Sequence, residues 1–313
     1  MAVYAAIDIG TNTLRLLVAD AAGADRFTVL HEEQEIARLG EGLLPDRRLQ
    51  EAAMRRSLAI LSRFVETTRR FHPLRMAAVA TSAVREAHNR EEFVEAARRE
   101  SGLSIRVIDG HEEARLTLLG VRHGLRLGSG RVLVMDIGGG STEFILAKGE
   151  VIEAIVSTGL GVVKLTEAHL KSDPPTPGEL AAVEKAVAER IGRLRAELPD
   201  PDDATLIATA GTPTTLAAMD LGLSVYRAPR VNGHRLSRAR TQQLLHVLAT
   251  TPLAARRETP AVEPGRADVI VAGTVLLVSA MDVLGYNEFT VSDSGLREGI
   301  LLDLLRQQTL RGQ

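Results

Sequence analysis

The chain has no cysteine and no tryptophan, and its aromatic residues are six Phe and three Tyr. The first absence excludes disulfides, thiolate catalysis and cysteine-based zinc sites together. The shortage of rings leaves few platforms for stacking bases and argues against single-stranded nucleic-acid binding. An excess of either charge sign is also missing: 38 Lys and Arg face 40 Asp and Glu, a formal net charge of −2, so a polyanion has to be gripped locally. Because Arg outnumbers Lys 34 to 4, any single Arg is weak evidence for a role. The eight His show no metal-ligand spacing such as His-x-x-x-His. No basic leader precedes the first apolar strand, and the apolar stretch 269–281 is too short to span a bilayer. A cytoplasmic protein without membrane or nucleic-acid partners is expected.

What the chain does contain is an internal echo. Residues 8–19, beginning Asp8-Ile9-Gly10-Thr11-Asn12-Thr13, recur 128 positions later as residues 136–147, beginning Asp136-Ile137-Gly138-Gly139-Gly140-Ser141-Thr142-Glu143. Each copy reads as an apolar strand ending in Asp, a turn of small residues, and a second strand of β-formers. Small residues let backbone N–H groups approach a phosphate closely, so such a turn can cradle an anion. Two of them at domain-sized separation predict two similar domains facing a phosphate-sized cleft. A length of 313 residues with 45% hydrophobic content suits two cores.

Strands and helices alternate along the rest of the chain, the pattern of an α/β protein. A third strand is predicted over 26–36, then a long amphipathic helix opened by Pro45 that carries Leu49, Ala53, Leu58, Leu61 and Val65. Strands over 75–80 and 104–108 alternate with helices over 91–100 and 112–123, and the glycine-rich stretch 124–130 marks the best boundary. The second half repeats the scheme: three strands between 131 and 156, helices over 162–170 and 178–197, and a strand over 206–210 leading into a third small-residue turn at 211–215. A helix capped by Ser237, an apolar helix over 266–284, a strand over 288–291 and a helix over 295–308 complete it.

Five motifs stand in one order: Asp-Ile-Gly-Thr-Asn-Thr at 8–13, Ala-Thr-Ser-Ala-Val-Arg-Glu-Ala at 80–87, Glu-Glu-Ala-Arg-Leu at 112–116, Asp-Ile-Gly-Gly-Gly-Ser-Thr-Glu at 136–143, and Ser-Asp-Ser-Gly-Leu-Arg-Glu-Gly at 292–299. Together they resemble the exopolyphosphatase and guanosine-pentaphosphate phosphohydrolase (Ppx/GppA) family in its short two-domain form. The resemblance implies two ribonuclease-H-like domains of the actin-like ATPase fold with an interdomain active-site cleft. The domains are placed at 1–126 and 127–313, with the last helix, about 296–310, free to pack back on the first. It further implies a homodimer.

The reaction implied is Mg²⁺-dependent hydrolysis of the terminal phosphoanhydride of inorganic polyphosphate, which asks for a phosphate clamp, a divalent cation and a positioned water. Gly10, Thr11, Asn12 and Thr13 and, in the second copy, Gly138, Gly139, Gly140, Ser141 and Thr142 supply donors for the clamp. Asp8 and Asp136 are hard oxygen ligands for Mg²⁺ or another divalent cation, with Glu143 in the metal shell. By resemblance Glu113 is the catalytic base, Glu112 beside it being the competing choice and Glu143 the second catalytic candidate. Arg85 matches the family arginine that reaches the phosphates and can grip two oxygens. Gly211 and Thr212 are further phosphate contacts, although Pro213 removes one N–H from that turn. Arg15, Lys164, Arg297 and His111 stay unassigned. Hydrolysis of pppGpp is the near alternative, disfavoured by the few aromatics. An actin-like kinase or ATPase and a non-catalytic polyphosphate or alarmone sensor are the alternatives of other classes.

Overall fold

The computed structural model describes residues 2–311, which divide into two units, residues 2–123 with 295–311 and residues 124–294. In the first, aliphatic runs buried on both faces form β1 (Ala2–Ile9) and β2 (Thr13–Ala21), followed by the half-exposed β3 (Phe27–Ile36). Then come α1 (Glu51–Arg69), β4 (Arg75–Ala80), α2 (Ser82–Glu86), α3 (Arg90–Ser101), β5 (Ile105–Val107) and α4 (Gly110–Leu125). The sheet order is β3-β2-β1-β4-β5, with the first three strands antiparallel and β4 and β5 parallel to β1.

The second unit holds β6 (Arg131–Ile137), β7 (Thr142–Lys148), β8 (Val151–Thr158), α5 (Val162–His169), α6 (Pro177–Glu197), β9 (Thr205–Thr209) and α7 (Gly211–Asp220). It continues through α8 (Ala228–Val231), β10 (Arg235–Ser237), α9 (Arg238–Thr250), α10 (Leu253–Arg257), α11 (Ile270–Leu284) and β11 (Glu288–Ser292). Its sheet runs β10-β11-β9-β6-β7-β8. Without the edge strand β10, the order and strand directions are those of the first sheet, so the echo read at two turns extends to both topologies.

The last helix, α12 (Leu296–Arg311), belongs to the first unit. Its Leu296, Ile300, Leu301, Leu304 and Leu305 close a core with Tyr4, Ala6, Leu17, Val79 and Leu116. On the other face of the same sheet, Ile7, Leu14, Leu16, Leu61, Phe64 and Phe93 pack together. In the second unit α11 is buried almost all round, as its apolar sequence requires, and lies against α6 and α9. Among the described residues no helix is long and apolar enough to cross a membrane.

Four local expectations change. Pro45 lies in a turn, and α1 starts at Glu51 instead; Leu49 is still buried, tied through its backbone to the Asn89 side chain. The apolar helix near 266 starts at Ile270 because residues 264–266 form a separate 3-10 turn. α4 continues to Leu125, into the glycine-rich stretch read as the boundary. Gly211 and Thr212 are not in a turn: they open α7 directly, behind a strained Ala210 at φ 75°.

Candidate active site

Both echoed hairpins have the same build. In the first, Asp8 pairs in register with Arg15 and Ile9 with Leu14, and the turn closes with the Gly10 N–H donating to the Thr13 carbonyl at 3.0 Å. In the second, Asp136 pairs with Glu143 and Ile137 with Thr142, and the Gly138 N–H donates to the Ser141 carbonyl at 3.0 Å. Every one of these positions is displaced by the same 128 residues.

The carbonyls of each turn are held from behind. Arg38 N–H donates to the Asn12 carbonyl at 2.9 Å and Gly40 N–H to the Thr11 carbonyl at 2.8 Å. In the second unit the first amides of α5 do this work: Val162 donates to the Gly138 carbonyl at 3.0 Å and Val163 to the Gly139 carbonyl at 2.9 Å. In a planar trans peptide the C=O and the next N–H point opposite ways. The amides of Asn12 and Thr13, and those of Gly139 and Gly140, therefore face away from their supports. That orientation is the one an anion needs.

Two glycines that sequence reasoning did not single out as site residues make these supports possible. A methyl on Gly161 would run into the Gly139 carbonyl and the Gly140 backbone, while a methyl on Gly40 would meet the Thr11 side-chain methyl. A glycine just before a helix, as in Gly159-Leu160-Gly161, was the available signal for the first.

Side chains around the turns divide into outward and inward groups. Thr11 Oγ1 is buried with no hydrogen-bond partner among the described residues, and Asp8 and Asp136 are 7% and 9% exposed at their strand ends. Thr142 turns inward, its hydroxyl donating to the Leu160 carbonyl at 2.5 Å. Glu143 is 1% exposed, and one of its oxygens accepts from Ser141 Oγ at 2.8 Å and from Ser157 Oγ at 2.7 Å. Ser157, opposite Glu143 on β8, is a further residue that sequence reasoning missed. Thr212 is turned against Gly273 of α11, and Gly211 lies under the Arg266 guanidinium.

In the first unit the structure joins two residues predicted separately. Arg85 Nη1 donates to Glu113 Oε2 at 2.8 Å and to the Ile108 carbonyl at 3.0 Å. Glu113 is 7% exposed. Its neighbour Glu112 instead binds Arg115 and Arg106, and the Arg115 hydrogen bond foremost holds its carboxyl below the usual range despite partial burial. Asp109 starts the helix that carries both, its carboxylate accepting the Glu112 N–H at 2.8 Å. Of the unassigned residues, Arg15 donates to Gln34, Arg297 pairs with Glu32 and Glu298, Lys164 is half-buried on α5, and His111 is exposed.

Among the described residues no three His, Asp or Glu side chains gather as a metal cage. Each turn does carry a strand-end aspartate, a hard oxygen donor of the kind Mg²⁺ takes, one or two at a time, beside waters and phosphate oxygens.

A family model described as the Ppx/GppA phosphatase family matches residues 17–308. A Mycobacterium tuberculosis relative named exopolyphosphatase 2 is 36% identical, covering 96% of this chain and 98% of its own. The crystal structure of the Aquifex aeolicus Ppx/GppA family member is similar with a TM-score of 0.82 at 32% identity, covering 98% of each chain. An exopolyphosphatase structure from Cytophaga hutchinsonii gives 0.89 at 27% identity, over 97% of this chain and 98% of that one.

Proposed function

This chain belongs to the Ppx/GppA phosphatase family and is a hydrolase of phosphoric anhydrides, and from that premise we propose that it removes terminal orthophosphate from inorganic polyphosphate. The observation that carries the reading is the duplicated turn, whose pinned carbonyls turn two amides outward in each unit. Polyphosphate is all phosphate, so amides, hydroxyls and a guanidinium are sufficient to recognise it. A guanosine would ask for a stacking platform that a 3% aromatic content rarely supplies.

Within that reading Glu113 takes a proton from the attacking water as the water oxygen bonds to the terminal phosphorus. The bridging P–O bond breaks and the shortened chain leaves with its electron pair. Arg85 holds oxygens of the terminal phosphate, gripping ground state and transition state alike. Asp8 and Asp136 would hold Mg²⁺ or another divalent cation, which supplies neutralisation of phosphate charge when bound. Glu143, fixed by Ser141 and Ser157, would join in holding that cation.

Phosphate release measured with long-chain polyphosphate, tripolyphosphate, pppGpp and ATP, each with and without Mg²⁺, tests the proposal. Fastest turnover on polyphosphate, lost in EDTA, is expected. A preference for pppGpp or ATP in kcat/KM would overturn it.

A further inference from the structure

Arg85 has more donors than its visible partners use. A guanidinium carries five N–H groups in one rigid plane, and here Nη1 alone serves both Glu113 at 2.8 Å and the Ile108 carbonyl at 3.0 Å. The edge formed by Nε and Nη2 points elsewhere in that plane, with parallel N–H bonds matched to two phosphate oxygens. The side chain as a whole is 21% exposed, and both of these hydrogen bonds leave from Nη1. Arg85 also sits close after β4, the strand beside β1, and the Thr81 N–H bonds the Ile9 carbonyl just before the first turn. One residue thus touches the base on one edge while its unit presents a phosphate turn beside it.

We propose that Arg85 is a bracket: its Nη1 edge aligns Glu113, its Nε/Nη2 edge takes the terminal phosphate, and the rigid plane between them sets the distance from base to phosphorus. This rests on the reading of Glu113 as the base. Arg85 is then a positioning residue as well as a phosphate ligand, and the carbonyl of Ile108 is the anchor that keeps the plane from rotating. Lysine is no substitute, because a single ammonium on a flexible stem cannot hold both groups at a fixed separation.

The test compares Arg85→Lys, Glu113→Gln and the double variant, with tripolyphosphate as the probe for kcat, KM and, by calorimetry, Kd. Glu113→Gln alone should lower kcat by roughly 10²–10⁴-fold. Arg85→Lys alone should lower kcat by about 10²-fold through misplacement of the base, with a smaller rise in KM. Without a base to align, the lysine has little left to harm: the double variant should stay within about threefold of Glu113→Gln in kcat, while weakened Kd follows residue 85 whatever stands at 113.

Two results would overturn the bracket. Losses in kcat that multiply would show Arg85 and Glu113 acting independently. Tighter binding in Glu113→Gln that vanishes without Arg85 would show the carboxylate and the phosphate competing for one edge. Normal kcat in Glu113→Gln would instead sink the base reading itself, a separable outcome. Should Arg85→Lys melt early, Arg85→Ala with added guanidinium serves in its place. Rescue of kcat is expected with Glu113 present and none when Glu113→Gln is added; equal rescue in both backgrounds counts against the bracket.

Discussion

In the first hairpin Asp8 has Arg15 across the strand pair, and in the second Asp136 has Glu143. Directly opposed residues of antiparallel strands share a face, so the first pairing sets residues of opposite charge on one face and the second sets two carboxylates there. The supports differ too: behind the first turn the close neighbour of Gly40 is a side-chain methyl, whereas Gly161 lies on turn backbone. Duplication has kept the backbone device and let the electrostatics diverge. What differs between the hairpins is the residue that faces each strand-end aspartate.

The largest effect should come from the aspartates the hairpins share. Asp8→Ala and Asp136→Ala are each expected to abolish phosphate release at ordinary Mg²⁺ with unchanged circular dichroism, and EDTA should do the same to the unmodified chain. If raised Mg²⁺ restores Asp8→Ala but not Asp136→Ala, the comparison sharpens, because the cation then belongs to the carboxylate pair.

Next in size is the wedge. Gly161→Ala pushes a methyl into the turn backbone and should lower kcat/KM by about 10²-fold, whereas Gly40→Ala displaces a methyl that can rotate and should lose about tenfold or less. Equal losses would erase the difference between the supports.

A smaller effect is expected opposite the aspartates. Glu143→Gln should raise the Mg²⁺ concentration for half-maximal activity by roughly tenfold, while Arg15→Gln leaves it within about twofold. A titration showing the reverse would break the expected difference between the two pairings.

The smallest prediction concerns the second unit's frame. Glu179 closes the capping box of α6 and accepts from the backbone of Thr176 foremost, then Lys171 and Ser172, which holds its carboxyl at about 2 against an ordinary 4.5. A depressed carboxylate contributes stability above the unfolded value and loses it as pH falls through the folded one. Glu179→Gln should therefore flatten the fall in melting temperature between about pH 4.5 and 2; an unchanged slope would place that acid sensitivity elsewhere.

Much of this was legible along the chain. The two turns, their strands and the proximity of Asp to each turn follow from local patterns, and those patterns held because hairpin partners are neighbours in sequence. Glu113 was separable from Glu112 only by motif register; its burial and its bond to Arg85, 28 positions away, are tertiary facts. Gly40 and Gly161 matter through what lies against them, which no window around either residue reveals. Pro45 misled because Pro suits both a helix start and a turn, and Gly211 because a run of small residues suits both a turn and the first residues of a tightly packed helix. β10, three residues on a sheet edge, carries too short a pattern to read.

The place of α12 in the sequence sets an order of events during synthesis. The core formed by Tyr4, Ala6, Leu17, Val79 and Leu116 lacks its lid until Leu296, Ile300, Leu301, Leu304 and Leu305 have been translated. The second unit, 124–294, is made in between as one uninterrupted stretch. At ribosomal speeds that stretch occupies on the order of ten to thirty seconds. Throughout that interval the first unit displays an apolar sheet face that α12, made after the second unit, goes on to cover.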